Sequence, residues 1–312
     1  MGSWSHVRDG TILEEQAGAA HTVGLKQTIL FPFVTLGSLI NFCDCLMAGG
    51  TGRKDHSEVG SSFIHFNYTP NQDKATPSLI GDVPLGVMLN QRPIFLGGQG
   101  GLVGPCRLAY GTITAAGSIC RKDELRAGRL IVSVTRKNFS IPYTADSYTA
   151  LKRIFINNLY YLANLFALHQ WYKHVRSQFV SRNFPKPLLE GLLEKLTINI
   201  AERIKQLEKY TEKAPLAADK GFSGISPIVR MSTELREKWE ELKSYFEEQE
   251  KRDFHTDFSD RFMEILSDSI RENGKNYIGV IKSLSPEKSA LGSNWLEEIG
   301  RASCRERVCH RV

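Results

Sequence analysis

The chain of 312 residues lacks a hydrophobic run that is long enough to cross a bilayer. A transmembrane helix needs about 20 consecutive, predominantly apolar residues. The most apolar stretch covers residues 155–171 and contains the polar residues Asn157, Asn158, Asn164, His169 and Gln170. The N-terminus also lacks the basic and apolar regions of a secretory signal peptide. We therefore expect no membrane partner.

Cysteine pairs at metal-binding or redox spacing are absent too. None of the six cysteines forms a C-x-x-C pair, which argues against a zinc ribbon and a thioredoxin-type motif. The cysteines outside the C-terminal tail are Cys43, Cys45, Cys106 and Cys120. We interpret them as buried, reduced thiols, which are typical of a reducing compartment. The expected location is cytoplasmic.

A strong charge of one sign is missing once the tail is set aside. The formal net charge is +6, and residues 299–312 hold four arginines against one glutamate, so they supply +3 of it. This tail has no periodicity and resembles a translated sequencing adapter, so we predict a sequencing artefact or a disordered tail. The alternative is a basic arm that binds nucleic acid. The nearly neutral remainder argues against a nucleic-acid partner.

The first half of the chain repeats inward-type residues every six positions. Leu102, Leu108, Thr114 and Cys120 follow this spacing, and Val34, Ile40 and Leu46 follow it upstream. A helix would need a period of 3.6 residues and an exposed strand a period of 2. A six-residue period is typical of a triangular coil of short parallel strands. We predict a left-handed parallel β-helix over residues 1–133. Its first residues, 1–27, look like the interior of the repeat, so we expect that an upstream segment is missing.

The second half has helical periodicity. Apolar residues at three- and four-residue spacing predict helices over about 148–180, from Pro187 to about 207, over 232–252 and over 256–273, where Gly274 supplies a stop. We therefore predict an antiparallel α-helical bundle over residues 146–298, which follows the β-helix.

Residues 47–79 lose the six-residue rhythm and are rich in polar side chains. Insertions in a solenoid form loops on one face, which is often the binding face. Gly49-Gly-Thr-Gly-Arg53 superficially matches a phosphate-binding loop, but no helix pattern follows it, so we reject that reading. His169 and His174 lie five residues apart rather than four, and we predict no metal site.

Several blocks within residues 34–122 resemble the bifunctional UDP-N-acetylglucosamine pyrophosphorylase / glucosamine-1-phosphate N-acetyltransferase family. Asn41-Phe-Cys-Asp-Cys-Leu-Met-Ala48 is similar to the family's Asn-Phe-Val-Glu-Met-Lys-Lys-Ala. Asn67-Tyr-Thr-Pro-Asn-Gln-Asp-Lys74 is similar to Asn-Tyr-Asp-Gly-Ala-Asn-Lys. Thr114-Ala-Ala-Gly117 is similar to Ile-Ala-Ala-Gly. The resemblance implies sugar-nucleotide metabolism, and the family's nucleotidyltransferase domain has no counterpart in this chain.

The resemblance also implies a site. It places Asn67, Tyr68 and Lys74 at an amino-sugar phosphate or nucleotide sugar, and Arg53 from the same loop segment is included in this predicted substrate site. It places Ala115, Ala116 and Gly117 along the pantetheine arm of acetyl-CoA, the implied co-substrate. Family members assemble as trimers, so we expect a homotrimer.

One departure concerns the catalytic base. The family's histidine aligns with Ser61, so His65 or His56 of the same loop would have to remove the proton from the sugar ammonium. Two function classes stay open. The chain is an N-acetyltransferase, with the amino sugar and acyl donor undetermined, or it is a non-catalytic sugar-nucleotide-binding or trimerisation module.

Overall fold

The structure is a computed structural model that describes residues 1–69, 73–133, 150–213 and 227–304. Short β-strands fill the described part of the first half. They are His6–Val7 (β1), Ile12–Leu13 (β2), Gly18–Ala19 (β3), Gly24–Leu30 (β4), Thr35–Leu36 (β5), Asn41–Met47 (β6), Gly50–Gly52 (β7), Asp55–His56 (β8), Glu58–Val59 (β9), Ile64–Phe66 (β10), Ser78–Ile80 (β11), Phe95–Leu96 (β12), Gly101–Val103 (β13), Arg107–Leu108 (β14), Ile113–Thr114 (β15), Ile119–Cys120 (β16) and Leu130–Ile131 (β17).

The strands form two large parallel sheets and one antiparallel hairpin. The nine-stranded sheet has the order β1-β4-β6-β10-β13-β16, with β2, β11 and β14 paired beside this path. The six-stranded sheet has the order β17-β15-β12-β9-β5-β3, and β7 pairs with β8. Neighbouring strands are far apart in sequence, as in the pairs Leu25↔Phe42 and Phe95↔Ile113. Parallel pairing requires such long connections, because a tight turn can only reverse the chain.

This arrangement corrects the predicted left-handed β-helix followed by an antiparallel helical bundle. The predicted β-helix requires each six-residue unit to form one face of the triangular coil and to end at a bend. Instead, the seven-residue strands β4 and β6 continue through Gln27 and Asp44, whose φ angles are +48° and +60°. Segments that the prediction places on separate faces of the coil therefore belong to one nine-stranded sheet. The fold is an α/β arrangement of two parallel sheets with helices packed against them.

Residues at the six-residue spacing do point inward. Their side chains are at most 5% exposed: Val34, Ile40, Leu46, Leu102, Leu108, Thr114 and Cys120. Burial of one large apolar side chain stabilises a fold by about 1.5–3 kcal/mol. The four cysteines expected to be buried thiols are free and buried, which confirms that prediction.

Helices make up the described part of the second half. After the short helix Val83–Gly86 (α1) come Leu151–Gln170 (α2), Lys186–Lys213 (α3), Pro227–Glu237 (α4), Trp239–Lys251 (α5), Asp257–Asn273 (α6), Tyr277–Ser283 (α7) and Pro286–Cys304 (α8). A π-helical turn, Trp171–Val175, and a 3₁₀ turn, Arg176–Phe179, extend α2. The predicted helix over 232–252 is two helices, whereas the predicted stop of α6 at Gly274 is confirmed.

Polar side chains attach the helices to the sheets. Asn199 donates to the carbonyl of Gly10 at 2.8 Å, and Asn158 donates to the carbonyl of Ala75 at 3.0 Å. Asn164 accepts from the backbone N–H of Val83 at 2.7 Å. These amides satisfy backbone groups at turns of the sheet region, which would otherwise be buried without partners. Among the described residues, no helix is long and apolar enough to span a bilayer.

The predicted domain boundaries at residues 133 and 146 stay predictions, since residues 134–149 lie outside the described ranges. The same holds for 305–312 of the predicted artefact or tail. Residues 299–304 belong to α8, and the side chain of Ile299 is fully buried.

Candidate functional site

His65, the first predicted base, lies on β10 and is 1% exposed. Its Nδ1–H donates to the carbonyl of Cys43 at 2.6 Å. Its Nε2 therefore accepts from the Ser78 hydroxyl at 2.8 Å. Burial lowers the pKa of His65 to about 4, so the ring is neutral at pH 7. A general base must lie within hydrogen-bond reach of the proton that it removes. At 1% exposure, the ring is out of reach of a substrate in solvent.

Asn67 is bound within a buried polar group, which we call the Asp44 cluster: Asp44, Asn67 and Arg203. Asn67 donates to one carboxylate oxygen of Asp44 at 2.8 Å, and Arg203 donates to the other at 2.8 Å. Arg203 and Asp44 are each only 3% exposed. Arg203 also donates to the carbonyl of Lys74 at 3.1 Å. The Asp44 cluster therefore joins the sheets to α3.

Tyr68 and Lys74 differ from Asn67, because both are exposed. The ring of Tyr68 is 57% exposed. Both side chains are free to contact a ligand in solvent, whereas the amide of Asn67 is occupied.

Arg53 and His56 lie on or beside the hairpin β7–β8. One guanidinium nitrogen of Arg53 donates to the carbonyls of Gln16 and Phe33 and to the hydroxyl of Thr35, at 3.0–3.2 Å. His56 is half-buried, with its Nε2 3.8 Å from Glu58. No hydrogen bond or ion pair of the described residues links this hairpin to the Asp44 cluster. The structure therefore does not gather the predicted substrate residues into one site.

Ala115, Ala116 and Gly117 form a turn after β15, and Ala116 and Gly117 are exposed. Gly117 has a φ of +72°, in the left-handed region that favours glycine. The neighbouring turn approaches this one closely, since a Cβ on Gly97 would lie 2.5 Å from the carbonyl oxygen of Thr114. Small residues therefore keep the backbone of this turn open to solvent.

The same turn ends a ladder of backbone hydrogen bonds along one edge of the sheets. In this ladder, the carbonyl of the residue before a left-handed position accepts a hydrogen bond from a backbone N–H of the next turn. The bonds are Thr22 N–H to Ser3 O, Leu39 N–H to His21 O, Ser62 N–H to Ser38 O, Gln99 N–H to Ser61 O and Gly117 N–H to Gly98 O, at 2.8–3.2 Å. We call His21, Ser38, Ser61, Gly98 and Gly117 the polar edge.

The polar edge brings an imidazole next to Ser38, whose backbone contacts Ser61, the residue that aligns with the family's histidine. His21 is exposed, and its Nδ1 lies 2.9 Å from the hydroxyl of Ser38. The hydroxyl of Ser61 accepts from the backbone N–H of Ser38 at 3.1 Å. Sequence reasoning missed His21 because it lies outside the loop of 47–79. Its separation of 17 residues from Ser38 is one step of the parallel pairing, and that step was the signal.

This arrangement suits proton removal from a substrate in solvent. If Nδ1–H donates to Ser38, the Nε2 atom of His21 carries the lone pair that accepts a proton. Histidine is suited to this step, because its ordinary pKa lies near neutrality. In the described part of the chain, no group of three or more His, Cys, Asp or Glu residues could hold a metal ion. No protein-family model and no curated protein matches this chain.

Proposed function

We propose that the chain acts in sugar-nucleotide metabolism as an N-acetyltransferase, which moves the acetyl group of acetyl-CoA to the amine of an amino-sugar phosphate. His21 is the general base. One observation carries the proposal: an exposed imidazole is hydrogen-bonded to Ser38, which in turn contacts Ser61, on the same edge as the turn of Ala116 and Gly117. This revises the expected base, since His65 is buried.

The chemistry follows from the groups present. Nε2 of His21 takes one proton from the sugar ammonium, and the freed amine attacks the thioester carbonyl. The C–N bond forms, the C–S bond breaks, and the thiolate of CoA takes up a proton. Small exposed residues at Ala116 and Gly117 allow the pantetheine arm to lie against the backbone. Tyr68 and Lys74 are the proposed sugar-phosphate contacts, because their side chains are exposed.

Replacing His21 with Gln should lower kcat at least about 100-fold, since general-base catalysis typically contributes 10²–10⁴-fold. The measurement is thiol release from acetyl-CoA in the presence of glucosamine 1-phosphate. His6→Gln is the matched control, because His6 is also exposed and lies on β1, which pairs with β4, the strand that follows His21. A His21→Gln protein that turns over within twofold of the wild type would exclude His21 as the base.

A non-catalytic sugar-nucleotide-binding module is the second candidate. It is favoured by the burial of His65, which removes the first predicted base from solvent. Calorimetric titration separates the two candidates. An acetyltransferase gives saturable heat with acetyl-CoA, whereas a sugar-nucleotide-binding module gives it with UDP-N-acetylglucosamine alone.

We also propose a homotrimer. The support is an exposed apolar ladder on adjacent strands of the six-stranded sheet: Phe95, Ile113 and Leu130 are directly paired and 41%, 44% and 65% exposed. Contiguous exposed apolar surface of this kind marks interaction sites. A cytoplasmic location is likewise a proposal, supported by the four buried free cysteines.

Ile113→Lys places a charge in the middle of this ladder and is expected to convert a trimer into monomers, because an unpaired buried charge opposes association. Light scattering after size-exclusion chromatography measures the mass. Leu188→Lys is the control, since Leu188 is 48% exposed on α3, outside the ladder. A wild-type protein that runs as a monomer, or an Ile113→Lys protein that stays trimeric, contradicts the proposal.

A further inference from the structure

A cleft of about 390 Å³ lies where α1, α2 and α8 meet β11 and β14. This volume lies within the range of small-molecule sites, roughly 300–1,000 Å³. Leu79, Leu108 and Ala163 provide apolar surface, and Asp82 and Glu297 provide carboxylates. None of these residues belongs to the polar edge, so the cleft is a separate site.

Asp82 brings negative charge into the cleft. It is the N-cap of α1, and one of its carboxylate oxygens accepts from the backbone N–H of Leu85 at 2.9 Å. No other hydrogen bond to this carboxylate is made by the described residues. The pKa of Asp82 is raised to about 6, mainly by burial and to a smaller extent by the charge of Glu297. Two carboxylates therefore share a partly apolar space.

The cationic side chains of the cleft, Arg107 and Arg301, each already pair with a carboxylate. Arg107 pairs with Asp123 at 3.3 Å, and its guanidinium lies 4.1 Å from the ring centre of Tyr160. Arg301 pairs with Glu297 at 2.9 Å at the cleft, and their side chains are 62% and 41% exposed. An exposed pair of this kind is weak, and it is easily exchanged for another cation. The hydroxyl of Tyr110 is hydrogen-bonded to the backbone N–H and carbonyl of Asp82 and not to its carboxylate. No cation of the described residues pairs with the carboxylate of Asp82.

We propose that this cleft binds an organic cation, a primary amine with an apolar body, whose ammonium lies between Asp82 and Glu297 and whose body lies against Leu79, Leu108 and Ala163. An ammonium supplies the positive charge that the carboxylate of Asp82 lacks, and it replaces Arg301 as the partner of Glu297. The apolar surface favours an aromatic or alkyl body over a sugar, because a sugar would bury hydroxyl groups without partners.

The test uses phenethylamine as the probe, in calorimetric titrations of the full chain at pH 7.5. We expect saturable binding that weakens at least tenfold in Asp82→Asn and in Glu297→Gln. Asparagine is as good an N-cap as aspartate, so the first variant keeps α1 intact. Glu298→Gln is the matched control, because Glu298 is the next residue of α8 and does not line the cleft. 2-Phenylethanol has the same body without the charge and should bind at least tenfold more weakly.

Two further measurements have a defined sign. Arg301→Ala should strengthen binding, since it frees Glu297 for the ligand. Affinity should fall as the pH is lowered from 7 to 5 in the wild type, and this fall should be smaller in Asp82→Asn. The proposal is overturned if phenethylamine gives no saturable heat, if Asp82→Asn binds within twofold of the wild type, or if 2-phenylethanol binds equally well. These outcomes are independent of His21 and acetyl-CoA, so they leave the proposed acetyl transfer untouched.

Discussion

Asp44→Asn is expected to destabilise the protein by about 3–5 kcal/mol, the usual cost of removing one partner from a buried ion pair. The substitution keeps the shape of the side chain, and asparagine tolerates the left-handed φ of +60° at this position. It leaves the guanidinium of Arg203 without a counter-ion at 3% exposure. Urea unfolding at pH 7 gives the free energy of unfolding.

The exposed pair between Arg230 and Glu234 is the control for this experiment. Arg230 is 77% exposed, and the pair spans one turn of α4. Glu234→Gln should change the free energy of unfolding by less than about 0.5 kcal/mol. The double variant Asp44→Asn/Arg203→Met should be more stable than Asp44→Asn alone, because it no longer contains an unpaired charge. A loss below about 1 kcal/mol in Asp44→Asn would show that the Asp44 cluster is not a buried ion pair in solution.

Glu14→Gln is expected to stabilise the protein at pH 8 and to have little effect at pH 5. Glu14 is 8% exposed and accepts a hydrogen bond from the hydroxyl of Tyr172. Burial raises its pKa from 4.5 to about 7. The folded state therefore holds this proton more tightly than the unfolded state. The resulting stability is fully present below pH 4.5 and is lost as the pH rises through 7. The loss is on the order of 3 kcal/mol, at about 1.4 kcal/mol for each pH unit.

Other groups also contribute to the pH dependence of the wild type, among them Asp82 and His65. Asp82 has a raised pKa of about 6 and adds a slope of the same sign as Glu14. His65 has a lowered pKa of about 4, so it opposes folding as the pH falls below about 6.5. Both are unchanged in Glu14→Gln. The difference between the variant and the wild type therefore isolates Glu14.

Urea unfolding of both proteins at pH 5 and pH 8 makes the comparison. Glu15→Gln is the neighbouring control, because it removes the ion pair between Glu15 and the buried Arg176. That variant should lose stability at both pH values. If Glu14→Gln is less stable than the wild type at pH 8, then Glu14 is ionised in the folded protein and its charge is needed beside Arg176.

Residue spacing predicted which side chains point inward, and the structure shows why it was wrong about the architecture. Every member of the six-residue series is buried, because the spacing reports how the backbone alternates between inside and outside. The spacing contains no information on where a strand ends. Gln27 and Asp44 have left-handed φ angles inside β4 and β6, and neither residue ends its strand. Segments that the six-residue period places on different faces therefore form single strands.

The candidate site shows the same division. His65 was chosen because it lies in a polar loop, but the adjacent residues Ile64 and Phe66 point outward and the imidazole points inward. His21 lies outside that loop, so the loop's polar composition does not point to it as a base. Its proximity to Ser38 arises from parallel pairing, which brings together residues that are distant in the chain.

The sequence by itself determined the inward positions of the strands, the burial of the cysteines, the stop of α6 at Gly274 and the polar residues that interrupt the apolar helix α2. These properties depend on neighbours within a few residues, where spacing and local conformation are sufficient. Only the tertiary structure decided which strands pair, that His65 and Asn67 are occupied, that His21 lies beside Ser38, and that Asp82 and Glu297 line one cleft. Those contacts join residues separated by loops and by the helical half, and their geometry depends on the register of every strand between them.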